Sequence, residues 1–354
     1  VISPLFALAL FGVALLLSLL AVPPVRRLVW RLDLVDRPRD GAHKSHVRST
    51  PYGGGVAIWF AALISLLFYP LYADIEAWTA LFSPLFTLLT CATLLFLTGL
   101  IDDWRGLQPL PRFSIQVLTT FFLVGICPEF RLSLFSTAPI LSLPLTALWI
   151  VALTNAFNFL DNMDGLSAGI AAAVLIALGG MALLCGQPTC AGLCLVLLGA
   201  IVGFLCYNFP PASIFMGDAG AFFLGFLVSG ASLLLSNHLA NTHAPLSHQF
   251  APLLALTVPL YDLLGVSVIR LKNGIPPWIG DKNHISHRLT DRGFSRRTAV
   301  LIIHTATLVT GLSALLAVWL SGPFSWIPLL LIPLTALAVI PFDIATRRRR
   351  SPSA

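Results

Sequence analysis

Thirteen of the fifteen acidic residues in this chain are Asp, and several of them sit where a carboxylate is least expected. Asp102 and Asp103 close an apolar run in LTGLIDDWRG, Asp161 and Asp164 follow another in TNAFNFLDNMDGLSAG, and Asp218 opens a third in FMGDAGAFFLG. Asp262 lies inside a fourth, VPLYDLLGVSV. Carboxylates at or within apolar segments are costly and mark function by default. Asn155, Asn158, Asp161 and Asp164 recur every three residues, which on a helix places four oxygen donors on one face. Ordinary capping is the competing explanation: Asp161 or Asp164 for a helix beginning near Leu166, and Asp218, between Gly217 and Gly220, for its own helix. The Asp102–Asp103 pair has its alternative as a solvated loop entry beside Arg105. Hard oxygen donors with glycine nearby suit Mg²⁺, which takes one or two carboxylates together with substrate phosphate oxygens. No histidine-rich zinc pattern accompanies them.

Two further stretches suit anions. In HKSHVRSTPYGGG, Lys44 and His46 precede Gly53, Gly54 and Gly55 at the start of an apolar run. Glycines at a helix N-terminus let backbone N–H groups approach a phosphate; a flexible entry carrying topogenic charge is the alternative. In GDKNHISHRLTDRGFSRR, His284 and His287 share a helical face with Arg288 adjacent. Arg binds phosphate bidentately, although a basic helix lying on anionic lipid would look the same. Asp262 suits a proton path or support of the site by a salt bridge. His238, His243 and His248 read as loop residues.

The elements that must position these residues are spanning helices. Hydrophobic residues make up 57% of the 354 and charged residues 10%, against about 25% charged in soluble domains. With a mean hydropathy of +0.89, a soluble enzyme, a disordered chain and a nucleic-acid-binding domain are excluded. The net charge of +6 then sets topology rather than binding nucleic acid. The six cysteines form no C-x-x-C pair; they suit small buried hydrophobes, with Cys185 and Cys190 close enough in sequence to pair across a turn.

At about 20 residues per span, eleven candidates run over 2–22, 53–72, 81–101, 112–128, 142–159, 166–185, 189–207, 215–237, 251–271, 298–320 and 323–343. The fold class expected is all-α and polytopic, one transmembrane catalytic domain over 1–354. The first run lacks the basic flank and cleavage site of a signal peptide, and a chain starting at Val1 is expected to lack a few initial residues. With eleven spans, 20 of the 21 Lys and Arg fall on one side. The positive-inside rule makes that side cytoplasmic, with the N-terminus outside and the C-terminus inside. Loops 23–52, 102–112, 160–165, 208–214 and 272–297 and the basic tail 345–354 then share the cytoplasmic face. No internal repeat stands out, which weakens a transporter reading.

Six motifs, in order on that one face, resemble the polyprenyl-phosphate N-acetylhexosamine-1-phosphate transferases. They are TPYGGG at 50–55, GLIDDWRGLQPLPRF at 99–113, NAFNFLDNMDGLSAG at 155–169, NFPPASIFMGDAGAFFLG at 208–225, P-L-Y-D at 259–262 and DKNHISHRL with GFSRRTAV at 281–300. Eleven spans and the form of the histidine motif resemble the N-acetylglucosamine branch. The resemblance implies transfer of N-acetylhexosamine-1-phosphate, with N-acetylglucosamine first, from a UDP-sugar to polyprenyl (undecaprenyl) phosphate, releasing UMP. It also implies Mg²⁺, with Mn²⁺ as a substitute, a bacterial inner (plasma) membrane and the option of a homodimer. Asp218 matches the metal-ligand position, with Asn158 beside it. Asp102 and Asp103 match the lipid-phosphate and metal network, and Asp161 matches a catalytic or nucleotide-side position that Asp164 supports. Lys44, His46, Gly53, Gly54, Asn155, Asn158, His284, His287 and Arg288 would hold substrate. Direct attack of the lipid phosphate is favoured over an aspartyl intermediate. The alternatives are a phospho-MurNAc-pentapeptide translocase and a non-catalytic lipid or nucleotide-sugar transporter. The chain departs from the family pattern twice: Asn162 replaces a Gly, and Ser286 replaces a His.

Overall fold

The computed structural model describes residues 3–37, 49–68, 75–132, 139–276, 279 and 281–330. Helix α1 (Pro4–Arg31) starts on Ser3, whose hydroxyl accepts the Phe6 N–H at 3.3 Å, with Pro4 in the first turn, where its missing N–H costs nothing. A two-stranded antiparallel ribbon follows, β1 (Val35–Asp36) with β2 (Thr50–Pro51), Asp36 opposite Thr50. This ribbon is the exception to the all-α expectation. Then come α2 (Gly54–Phe68), α3 (Ile75–Arg105), α4 (Pro109–Ile126), α5 (Pro139–Leu160), α6 (Leu166–Leu184), α7 (Pro188–Asn208) and α8 (Gly217–Asn241). The chain continues through α9 (Leu246–Leu254), α10 (Thr257–Lys272), α11 (Ile285–Thr290) and α12 (Arg296–Trp319).

Among the described residues eight helices are long and apolar enough to cross a membrane, and nine if α9 and α10, bent by 61° at their junction, count as one. Helix α2 is apolar but shorter. The first ten expected spans therefore all fall on apolar helices, while most of 323–343 and the tail 345–354 lie outside the described residues. Helix α8 is the centre: 94% of its apolar window is buried, against 28% for α1. Outer helices instead expose large apolar side chains such as Leu5 and Ile140, which suits contact with lipid. Around α8 pack α2, α3, α5 and α9, while α7 lies against α1 and α6. Small residues allow the closest approach: a Cβ on Gly55 would collide with the Gly220 backbone, so α2 and α8 touch main chain to main chain. All six cysteines are free thiols, so Cys185 and Cys190 do not pair, and Cys206 is exposed rather than buried.

Candidate active site

The C-terminal ends of α3, α5, α7 and α10 and the N-terminal ends of α4, α6, α8 and α12 lie together at one end of the bundle. They surround a cavity of about 850 Å³. Its floor is the N-terminus of α8, where N–H groups have no intrahelical partner and the helix dipole favours negative charge. Gly217 turns into this helix with φ 77°. Asp161 accepts its N–H. Asp103 accepts the next two, from Asp218 at 2.9 Å and Ala219 at 3.2 Å. The capping role thus falls to Asp103 and Asp161, which come from distant segments. It does not fall to Asp218, whose side chain is left to face the cavity.

Asp218 Oδ1 accepts from Asn158 Nδ2 at 2.7 Å, and Oδ2 from Arg112 Nη1 at 3.2 Å. The same Arg112 nitrogen donates to Asp102 Oδ2 at 2.6 Å. Asp102 Oδ1 accepts the Leu107 N–H at 2.6 Å, closing the turn between α3 and α4. The Asp102 and Asp218 carboxyls are themselves within hydrogen-bonding reach. Burial, then the Asp218 charge, pushes the Asp161 carboxyl up to about 8, against the pull of the Gly217 N–H.

The i, i+3 stripe divides. Asn158, Asp161 and Asp164 line the cavity, with Asp164 Oδ2 accepting the Ala212 N–H at 2.9 Å and so bracing the 208–214 loop. Asn155 does not reach it: its amide donates to Gln116 Oε1 at 2.6 Å and to the Val151 carbonyl at 2.8 Å, joining α4 to α5. In this structure its side chain joins two helices rather than lining the cavity.

The opposite wall is α11 with the ends of α10 and α12. Asp262, fully buried, accepts from His284 Nδ1 at 2.7 Å and from the Ile285 N–H at 2.7 Å. It caps α11 and orients the imidazole, so the role it plays is support of the site. Arg270 is 1% exposed, lies 4.9 Å over the Phe159 ring and donates to Asp281 at 3.1 Å. Burial opposes ionisation of Asp281, yet hydrogen bonds from Arg270 and Asn283 hold its carboxyl below the usual range. His287 faces the cavity, and burial, reinforced by His284, Lys282 and Arg296, lowers its imidazole to about 4. Arg288 is buried beside Gly265 and is not among the residues lining the cavity.

The glycine motif makes main-chain contacts between helices. The Gly54 and Gly55 N–H groups donate to the carbonyls of Phe215 at 2.8 Å and Met216 at 2.9 Å, so they hold α2 to the segment leading into α8 rather than offering themselves to phosphate. Gly53, at φ 121°, packs against Val29. Lys44 and His46 lie outside the described residues. The two departures from the family pattern meet: Ser286 Oγ donates to Asn162 Oδ1 at 2.6 Å.

Several lining residues carried no functional assignment from sequence: Arg112, Tyr52, Asp36, Arg270 and the pair Arg296 and Arg297. Arg112 and Gln116 stand four apart in an apolar helix, a polar pair on one face that could have marked it. Asp36 arrives through the β ribbon. Burial, then the Asp36 charge, pushes the Tyr52 phenol above its usual range, so it remains a donor.

The floor fits a hard divalent cation. Asp161 and Asp218 line it, Asp102 and Asp103 stand just behind without lining the cavity, and Arg112 bridges Asp102 and Asp218; Asn158, whose Nδ2 is committed to Asp218, keeps its amide oxygen for a ligand. No ready-made cage of three ligands exists among the described residues. Mg²⁺ takes one or two protein carboxylates and completes its shell with phosphate and water oxygens.

The profile of glycosyl transferase family 4 matches residues 85–236. A probable undecaprenyl-phosphate N-acetylglucosaminyl 1-phosphate transferase of Bacillus subtilis is 33% identical over 321 residues, covering 88% of this chain and 86% of the relative. A decaprenyl-phosphate N-acetylglucosaminephosphotransferase of Mycobacterium tuberculosis is 32% identical, covering 85% and 80%. An undecaprenyl-phosphate alpha-N-acetylglucosaminyl 1-phosphate transferase of Escherichia coli is 27% identical, covering 86% and 82%. With acids, bridging arginine and basic wall meeting at one end of an apolar bundle, and with likeness of this extent along most of its length, the chain belongs to glycosyl transferase family 4.

Proposed function

We propose that this protein transfers N-acetylglucosamine-1-phosphate from UDP-N-acetylglucosamine to a polyprenyl phosphate, releasing UMP. The observation that carries the reading is the cavity itself: a carboxylate floor with Arg112 on one side and a wall of His287, Arg270, Arg296 and Arg297 on the other. Its volume of about 850 Å³ lies in the range of small-molecule sites. The relatives' names supply the sugar and the lipid. The positive-inside rule puts this end of the bundle in the cytoplasm, where nucleotide sugars are available, and the apolar helices deliver the lipid phosphate to the same level.

Phosphoryl transfer asks mainly for positioning and charge neutralisation. The basic wall would hold the donor diphosphate while Arg112 receives the lipid phosphate beside Asp102. A lipid phosphate oxygen attacks the β-phosphorus, a new P–O bond forms, the bond to the bridging oxygen breaks, and UMP leaves with that electron pair. The second pKa of a phosphate monoester is about 6, so the nucleophile is largely ionised at neutral pH and little is asked of Asp102 as a base. Mg²⁺, held by Asp218 with Asn158, would neutralise charge on the diphosphate and the leaving group. Asp103 and Asp161 fix the helix that carries Asp218.

The test is UMP release by purified protein with polyprenyl phosphate, a panel of UDP-sugars and Mg²⁺. Lipid- and Mg²⁺-dependent release from UDP-N-acetylglucosamine, abolished in Asp218→Ala, is the expected result. Release from no donor by folded protein refutes the reading.

A further inference from the structure

Asn162 is held at both ends. Its Nδ2 donates to the Phe159 carbonyl at 2.6 Å, closing the end of α5, and its Oδ1 accepts from Ser286 Oγ at 2.6 Å. The two side chains come from segments 124 residues apart. On one side of the bond lie Asn158 and Asp161. On the other, Ser286 is fully buried in α11 between His284 and His287. The same seam is closed by aromatic contact: the Phe159 ring meets His284 edge-on at 5.8 Å, and Arg270 covers it at 4.9 Å. Asn162, His284 and His287 all line the cavity.

We infer that Asn162 and Ser286 form a latch that holds the acidic end of α5 and the basic helix α11 at one spacing, and that this spacing sets affinity for the nucleotide-sugar donor. Both are positioning residues: the hydrogen bonds they make run to Phe159 and to each other. The polar groups that would grip a donor sit on both sides of the seam, so a seam free to open must be ordered again on each binding event. Turnover depends instead on Arg112 and Asp218, which line the floor, and on Asp102 behind them, none of which the latch touches. The inference about donor affinity rests on the transferase reading; the existence of the latch does not.

The test is a double-mutant cycle read in two ways. Ser286→Ala should raise the donor KM roughly fivefold with kcat little changed, as expected for loss of one buried hydrogen bond. Asn162→Ala, which loses the Phe159 bond as well, should raise it roughly tenfold. The double variant should match Asn162→Ala alone, because nothing remains for the second change to remove. Ser286→Thr, which keeps the hydroxyl, should restore the donor KM to near wild type. Independently of activity, amide hydrogen exchange over residues 161–166 and 285–290 should quicken in both single variants. Multiplying effects in the double variant, a Thr variant as weak as Ala, or unchanged exchange would each overturn the latch. Should wild-type protein release no UMP, exchange alone decides, so failure of the latch and failure of the transferase reading remain distinct.

Discussion

Replacing Arg112 tests the floor of the cavity most directly. One nitrogen, Nη1, makes both of its ion pairs, to Asp102 at 2.6 Å and to Asp218 at 3.2 Å. Its side chain is 20% exposed, that of Asp102 7% and that of Asp218 31%. Breaking a fully buried pair by removing one partner costs about 3–5 kcal/mol. Partial access to solvent screens this site, which brings the cost of leaving two facing carboxylates unbridged to about 2 kcal/mol. If that cost falls on the geometry needed in the transition state, Arg112→Ala loses roughly thirtyfold in kcat/KM. Arg112→Lys should lose only about threefold, because one nitrogen does all the bridging and an ammonium can occupy nearly the same point. The assay is UMP release under subsaturating donor and lipid, with thermal unfolding in detergent measured alongside to separate activity from stability. Arg112→Ala within threefold of wild type would refute the bridging argument. Lys no better than Ala would refute the single-nitrogen part of it.

Three further outcomes follow from particular contacts. Asp262→Leu leaves the Ile285 N–H and His284 Nδ1 without their acceptor, at about 2–3 kcal/mol; it should lower the unfolding temperature and raise the donor KM, and a stable variant with wild-type KM would show that α11 is held by other means. Gly55→Ala drives a methyl group into the Gly220 backbone, which cannot move aside as a flexible side chain would; about 1–3 kcal/mol of destabilisation is expected, and unchanged thermal stability would contradict the close approach of α2 and α8. His287 is lowered in the folded state to about 4 from 6.5, so the folded protein binds its proton less readily than the unfolded chain. Its contribution to stability is present above pH 6.5 and is lost as pH falls through about 4; His287→Gln should flatten that part of a stability-against-pH curve, and an identical slope would exclude it.

Much of this molecule is legible along the chain because membranes impose a one-dimensional rule. Spans need length and apolarity, and cations stay on one side, so helix positions and the common level of the motif loops follow from counting. The same counting marked Asp102, Asp218, Asn158 and His287 as residues of one face, and the family resemblance gave them a shared chemistry. What each does there depends on distances between segments about a hundred residues apart, which no spacing encodes. The resemblance implies separate roles for Asp103, Asp161 and Asp218, but not that packing brings Asp103 and Asp161 to the open N–H groups of α8 and leaves Asp218 to face the cavity. Gly54 and Gly55 look like phosphate ligands until their N–H groups meet the Phe215 and Met216 carbonyls. Arg112 reads as a topogenic charge until α4 turns it onto two carboxylates. Asn162 and Ser286 are two unrelated departures in sequence and one hydrogen bond in space. Span counting and the Lys/Arg asymmetry group the motif residues at one end of the bundle; only the packing of helices around α8 decides which hydrogen-bond partner each finds there.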